Sequence, residues 1–378
     1  MDFVALPKLE VSPPPVSSAF PEITPLPLAC VHLAGTSTQC HRPSATLLLR
    51  LLDAVAHTGL RNIRRECLHE VWLRKKSRGE TTVEDPLLTM PPGKCDYNLD
   101  TFFPLFSRYI YKLCDDEESL LYTTQSVLED FAADGVVYLE LRTTPRAIPS
   151  AHITKDDYVR TILSCTTAPR APMTSRLLLS IDRRNDAATA LEVVSLALKY
   201  RPRGVVGIDL CGDPALGDVS RFRPAFERAR QAKLPITIHF AEAPSCTPEE
   251  LWCLLDYQPQ RIGHVIHVPD DVKEEIVRRK LGLELCLSGN VHGKMITGTY
   301  GDHHFGWWRG TGCPIALSRE QQTDDVGVFG SRLSNEYALV TEHFGLSRTE
   351  VCDLARSAVD TIFGGDEEKA RLRGLMWR

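Results

Sequence analysis

A chain of 378 residues with 43% hydrophobic and 25% charged residues has the composition of a soluble globular protein, and its length allows two or three domains or one large barrel. Its formal charge of −5, from 44 basic and 49 acidic residues, gives no global pull toward nucleic acid, and no stretch reaches the roughly 18 apolar residues of a membrane helix. Residues 1–20 lack the basic start and apolar run of a signal peptide. The 12 scattered cysteines contain no Cys-x-x-Cys, so reduced thiols in the cytoplasm are expected, most of them acting as small buried hydrophobes.

In chain order, Val11 to Leu28 is rich in proline and serine and foreign to a packed domain. Residues 45–59 follow with a helical look, Leu47, Leu48, Leu51, Leu52 and Val55 fitting one face. Residues 1–63 therefore read as an irregular N-terminal segment, with 11–28 and 36–62 outside the fold, and 64–378 as one compact domain. Within that domain short apolar runs read as strands: Gly135–Arg142, Arg176–Asp182, Gly204–Asp213, Leu234–His239, Arg261–His264, Leu281–Ser288 and Cys313–Ser318. Helical patterns lie between and after them at Asn185–Tyr200, Arg221–Lys233, Pro248–Tyr257, Asp270–Lys280, Ser334–Phe344 and Arg348–Phe363.

Alternating strands and helices predict βα units around a parallel sheet. Near-continuous apolar strands predict a sheet buried on both faces. Seven strands are legible, and one more near the N-terminus closes an α/β fold of the TIM (β/α)8 type. The strand ends are polar, and in such a barrel those ends form the active-site mouth. A doubly wound open sheet, the competing fold, would gather its polar residues at one switch point.

The residues at those ends suit metal-assisted hydrolysis. His239 closes a strand, offers a neutral nitrogen to zinc, and is followed three residues on by Glu242, a candidate proton donor. His264 follows Gly263, which allows close backbone approach. Taken alone, a histidine such as His239 is more often a hydrogen-bonded core residue, and His264 reads equally well as one. Asp324 and Asp325, next to one another, fit a turn, or a pocket in which a cation relieves one carboxylate. Asp182 and Asp213 add carboxylates on the same rim. One divalent metal that activates water is the mechanism this set points to.

The ordered motifs Asp209-Leu-Cys-Gly-Asp213, His239-x-x-Glu242, Arg261-Ile-Gly-His264 and Thr323-Asp324-Asp325 resemble those of the adenosine deaminases. The stretches Tyr138–Arg146, Ser180–Arg184 and Asp302–Gly306 look more like the adenosine deaminase-like branch, which removes methylamine from N6-methyl-AMP. The likeness covers about residues 64–378 and a short start at Leu6–Glu10. It implies a barrel of the metal-dependent hydrolase type and one Zn2+ per chain. His239 and Asp324 would bind the metal, and His264 would orient and deprotonate the attacking water. Glu242 would protonate the purine ring nitrogen beside the attacked carbon, while Asp325 and Gly212 bond the purine. Asp182, Thr143, Thr144, Pro145 and Arg146 would line the substrate pocket, with Arg146 or Arg142 meeting a phosphate. The expected partner is a small-molecule purine nucleotide or nucleoside bound by a monomer, without nucleic acid or membrane.

The chain departs from that pattern at the first strand, where the family runs from Leu-Pro-Lys-x-Glu into Leu-His-x-His-Leu-x-Gly-Ser and both histidines bind zinc. Here the pattern stops at Glu10, and an echo returns as Cys30-Val-His32-Leu-Ala-Gly35. Cys30 and His32 are thus candidate replacement ligands, with His32 also facing substrate, beside a disrupted N-terminal strand region. Four further residues, Arg319–Gln322, separate Ser318 from Thr323. Both departures fit retained intron, since Val11-Ser12 and Gln322 admit splice-like codons. The expected function is hydrolysis at the 6-position of a purine nucleotide, N6-methyl-AMP to IMP. The alternatives are adenosine as substrate, or a purine-binding pseudoenzyme with a broken metal site.

Overall fold

Parallel strands cannot be joined by tight turns and need crossovers long enough to carry a helix. A computed structural model of the chain describes residues 54–59, 63–94, 97, 99–318 and 332–376. Of the two compact units into which the chain divides, Met1–Arg42 and Pro43–Arg378, everything described belongs to the second. Among the described residues eight strands form one sheet in sequence order. They are β1 Ala54–Gly59, β2 Val136–Thr143, β3 Thr174–Asp182, β4 Val205–Cys211, β5 Ile236–Phe240, β6 Arg261–His264, β7 Gly282–Leu285 and β8 Ile315–Leu317. Every adjacent pair is parallel, and β1 touches β8. The sheet therefore curls back on itself as the expected (β/α)8 barrel.

The crossovers carry helices whose starts are written in the sequence. Helices α1 (Arg65–Ser77) and α2 (Glu117–Ala133) lie between β1 and β2, and α3 (Lys155–Thr166) and α4 (Ala187–Tyr200) follow β2 and β3. Next come α5 (Arg223–Gln231), α6 (Pro248–Asp256) and α7 (Asp270–Arg279). Short helices α8 (Leu287–His292) and α9 (Phe305–Trp308) link β7 to β8, and α10 (Leu333–Phe344) and α11 (Arg348–Thr361) follow. Reciprocal capping boxes start α2 at Asp116 with Ser119, α3 at Thr154 with Asp157, and α11 at Ser347 with Glu350. Each satisfies two backbone N–H groups that the helix itself leaves open.

Two expectations change. The residues read as the end of a helical face, Ala54–Gly59, are β1, paired with β2 from Ala54 opposite Val136 to Gly59 opposite Arg142. The barrel thus begins before residue 64, within a stretch expected outside the fold. An unpaired β2 edge would expose a row of backbone donors and acceptors, and β1 satisfies them. The echo at residues 30–35 lies outside the described residues. The strand read as Leu281–Ser288 ends at Leu285, because Leu287 already starts α8.

Strand residues facing the barrel interior are unusually polar. In register, Ser180 stands beside Asp209, Asp209 beside Thr237, Thr237 beside Arg261, and Gly263 beside Glu284. Arg261 donates to Glu140 Oε2 at 2.8 Å and to Thr361 O at 2.9 Å, and its Nε lies 2.6 Å from Glu284 Oε1. Arg142 pairs with the other Glu284 oxygen. Tyr138 Oη and Phe363 N both donate to Glu140 Oε1, at 2.8 and 2.6 Å. All four charged side chains are at most 2% exposed. Buried charges persist only when paired and hydrogen-bonded, as here.

Candidate active site

The ends of β5 and β6 bring together three of the side chains that the sequence singles out, His239, Glu242 and His264. His239, near the end of β5, is buried. Its Nδ1 lies 2.9 Å from Leu210 O and 3.2 Å from Asp209 Oδ1, both on β4. The Leu210 carbonyl can only accept, so Nδ1 carries a proton and Nε2 is turned away to act as a ligand. Ser180 Oγ donates to the other Asp209 oxygen at 3.0 Å, which holds that carboxylate in place. Burial pushes the His239 imidazole down, but the charge and hydrogen bond of Asp209 outweigh it and hold the ring at about 9. A carboxylate that stabilises a proton on this imidazole equally stabilises a metal cation in its place.

His264 ends β6 with its ring 5.4 Å from that of His239, centroid to centroid. Its Nε2 faces Glu242 Oε1 at 3.8 Å and has no hydrogen-bond partner among the described residues. Both side chains are almost wholly buried. Burial, and then the charges of His239 and Arg142, hold His264 well below the usual histidine range, so the ring is neutral. At this separation an oxygen lying to one side of the pair can be within hydrogen-bond reach of both groups.

The backbone around His264 is held against strain. His264 and Val265 adopt φ values of +65° and +48°, in the left-handed region that side chains other than glycine disfavour. The imidazole of His304 donates from Nε2 to His264 O at 2.6 Å, and Trp308 Nε1 donates to Val265 O at 3.2 Å. Sequence reading missed His304, Asn290 and the orienting role of Asp209. The signal present was Asp302-His-His-Phe-Gly306, used only as a mark of resemblance.

Gly212 follows β4 at φ +104°, and a Cβ there would lie 2.9 Å from Asp182 Oδ1. Asp182 is in turn gripped by Arg184, from its backbone N at 2.8 Å, Nε at 2.8 Å and Nη2 at 2.7 Å. Asp213 accepts from Ala215 N at 2.9 Å, in a local turn. Thr143 Oγ1 bonds Tyr158 Oη at 2.8 Å, Thr144 Oγ1 lies 3.7 Å from Cys211 Sγ, and Pro145 is buried. Arg146 donates to the carbonyls of Cys114 and Tyr111 and sits 5.1 Å over the Tyr111 ring. Arg142 is engaged with Glu284 inside the barrel, which removes it as a phosphate contact. Cys30, His32, Asp324 and Asp325 lie outside the described residues, and among those described no group of three metal-binding side chains forms.

The adenosine deaminase family model matches residues 86–377. The chain belongs to the adenosine deaminase family. It is therefore a deaminase of the hydrolase class, in a family whose members are generally zinc-dependent. An N6-mAMP deaminase of Arabidopsis thaliana is 39% identical over 304 residues, which cover 74% of this chain and 83% of that protein. A human N6-methyl-AMP deaminase is 34% identical over 303 residues, 77% of this chain and 83% of that one. The crystal structure of Arabidopsis ADAL complexed with IMP superposes with a TM-score of 0.80 at 36% identity, covering 87% of this chain and 97% of that one. Among the described residues no helix is long and apolar enough to cross a membrane. The nine described cysteines are free thiols, seven of them buried.

Proposed function

We propose that this protein hydrolyses N6-methyl-AMP to IMP and methylamine with one zinc ion per chain. The observation that carries the reading is the buried convergence of His239, His264 and Glu242 at one barrel mouth, with His264 Nε2 and Glu242 Oε1 3.8 Å apart. The IMP complex of the Arabidopsis relative supports a purine nucleotide as the ligand class.

His239 would hold the metal through Nε2, its ring fixed by Leu210 O and Asp209. Asp324, with Cys30 or His32, would complete the ligand set. When bound, zinc supplies Lewis-acid polarisation and lowers the pKa of water. His264 orients the water oxygen that adds to C6 of the purine. Glu242, as the carboxylic acid, gives its proton to the adjacent ring nitrogen as charge builds there. As the C6–N6 bond breaks, one proton of the added water goes to the departing methylamine and the other returns to the Glu242 carboxylate, leaving a carbonyl at C6. Gly212 and Asp325 bond the purine, Asp182 lines the pocket, and the Thr143–Arg146 stretch borders the nucleotide. We place the protein in the cytoplasm as a monomer, and the boundary of its catalytic domain at β1 rather than at residue 64.

Turnover of N6-methyl-AMP, AMP and adenosine, with metal analysis of the same sample, tests the reading. Preference for N6-methyl-AMP with about one zinc per chain is expected. Preference for adenosine would transfer the assignment to a nucleoside deaminase. Purine binding without turnover in zinc-replete protein would make this a pseudoenzyme.

A further inference from the structure

The segment that covers the end of β6 carries two adjacent histidines, and the chemistry above uses neither. His304 holds the His264 carbonyl, as described. His303 is buried and starts a different chain of hydrogen bonds.

Phe305 N donates to His303 Nδ1 at 3.0 Å. A backbone N–H can only donate, so Nδ1 accepts and the ring proton sits on Nε2. Burial, reinforced by the charge of His304, pushes the His303 ring down to about 2, so it carries that one proton and no second. His303 Nε2 then donates to Asn290 Oδ1 at 2.9 Å. This settles which way the Asn290 amide faces. Its Nδ2 points to Met295 Sδ at 3.2 Å and to His264 Nδ1 at 3.4 Å. An amide NH2 carries only donors, so His264 Nδ1 accepts. In a neutral imidazole the other nitrogen then carries the proton. That nitrogen is Nε2, the atom beside Glu242.

We propose that His303 is a positioning residue which, through Asn290, sets His264 in the Nε2–H form, so that His264 presents a donor to the attacking oxygen. The proposal rests on the reading of His264 as the group that faces the attacking water. Asn290 cannot rotate to offer His264 an acceptor without leaving His303 Nε2–H facing an NH2. With Nδ1 accepting from Asn290, His264 presents Nε2–H to the attacking oxygen and orients it. His304 and Trp308 fix the backbone carbonyls of His264 and Val265, from which this ring is mounted.

Nitrogen-15 labelling of histidine in the full chain, with long-range proton–nitrogen spectra of metal-free and zinc-loaded protein, reads the tautomer directly. The His264 signals are those lost in His264→Gln. The Nε2–H pattern is expected in wild type in both states, and an Nδ1–H pattern there would overturn the proposal. Asn290→Asp still accepts from His303 but offers His264 an acceptor. It is expected to convert His264 to Nδ1–H and to lower kcat about tenfold or more with KM within about twofold. An unchanged tautomer in folded Asn290→Asp would also overturn it. His303→Leu should give a mixture of tautomers, and His303→Gln, which still donates to Asn290 Oδ1, should restore the Nε2–H pattern and most of kcat. Equal spectra in these two variants would remove His303 from the chain. The tautomer is read without turnover, so failure to act on N6-methyl-AMP would overturn the proposed function and not this assignment.

Discussion

Replacing Arg261 by methionine keeps the length and most of the volume of the side chain and removes the centre of the interior charge network. Arg261 is fully buried, donates to Glu140 and to Thr361 O, pairs with Glu284, and lies 4.0 Å over the Phe363 ring. Removing one partner of a buried ion pair costs about 3–5 kcal/mol, and a buried carbonyl left without its donor adds about 1–3 kcal/mol. Glu140 keeps Tyr138 and Phe363 N, and Glu284 keeps Arg142, which holds the total near the lower end. A loss of about 4 kcal/mol is expected, a fall of about 8–16 °C in melting midpoint at 2–4 °C per kcal/mol. Urea unfolding and calorimetry measure both. Adding Glu140→Gln to Arg261→Met should recover about 1 kcal/mol or more, because it removes a carboxylate that has lost its main counter-charge. A single variant within about 1 kcal/mol of wild type, in the range of an ordinary surface change, would refute the claim that this network supports the barrel.

Three further outcomes are expected. Glu242→Gln should retain zinc and lose about 10²–10⁴-fold in kcat, since an amide has no carboxylic proton to give; unchanged turnover removes Glu242 from the mechanism. Gly212→Ala should cost about 1–3 kcal/mol in urea unfolding, because its φ of +104° strains any other residue and the new Cβ meets Asp182 Oδ1; equal stability and activity would show that the turn relaxes freely. Lys75→Met should lower the melting midpoint at pH 7, with the gap to wild type closing below about pH 4. Burial opposes the Asp116 charge, but the Lys75 hydrogen bond and the Ser119 contacts outweigh it and hold that carboxyl below its ordinary value. A carboxyl depressed in the folded state stabilises above its unfolded pKa of about 3.9, and that contribution is lost as pH falls through the folded value. A gap that stays constant from pH 7 to pH 3 would dismiss the ion pair as its source.

Much of the barrel was legible because its signals are local. Arg261–His264 forms a strand with the bounds read from the sequence, and Pro248 and Arg348 open helices where the pattern placed them. His239, Glu242 and His264 stood out because each follows an apolar run closely, and strand ends in such a barrel converge on one mouth. By itself, then, the sequence determined the alternation of elements, the parallel sheet and half of the chemical constellation. Only the tertiary structure decided which N-terminal residues pair with β2, since a strand is completed by its neighbour and Ala54–Gly59 carries too weak a pattern to announce itself. It also decided the fate of the arginines. Arg142 and Arg146 look alike as phosphate donors along the chain, yet one neutralises Glu284 from β7 and the other caps carbonyls of the short helical turn Tyr111–Leu113 and its C-cap Cys114. The path from Phe305 through His303 and Asn290 to His264 joins groups up to 41 positions apart. Tautomers follow from who donates to whom across space, and that is a property of the packed fold which no spacing along the chain encodes.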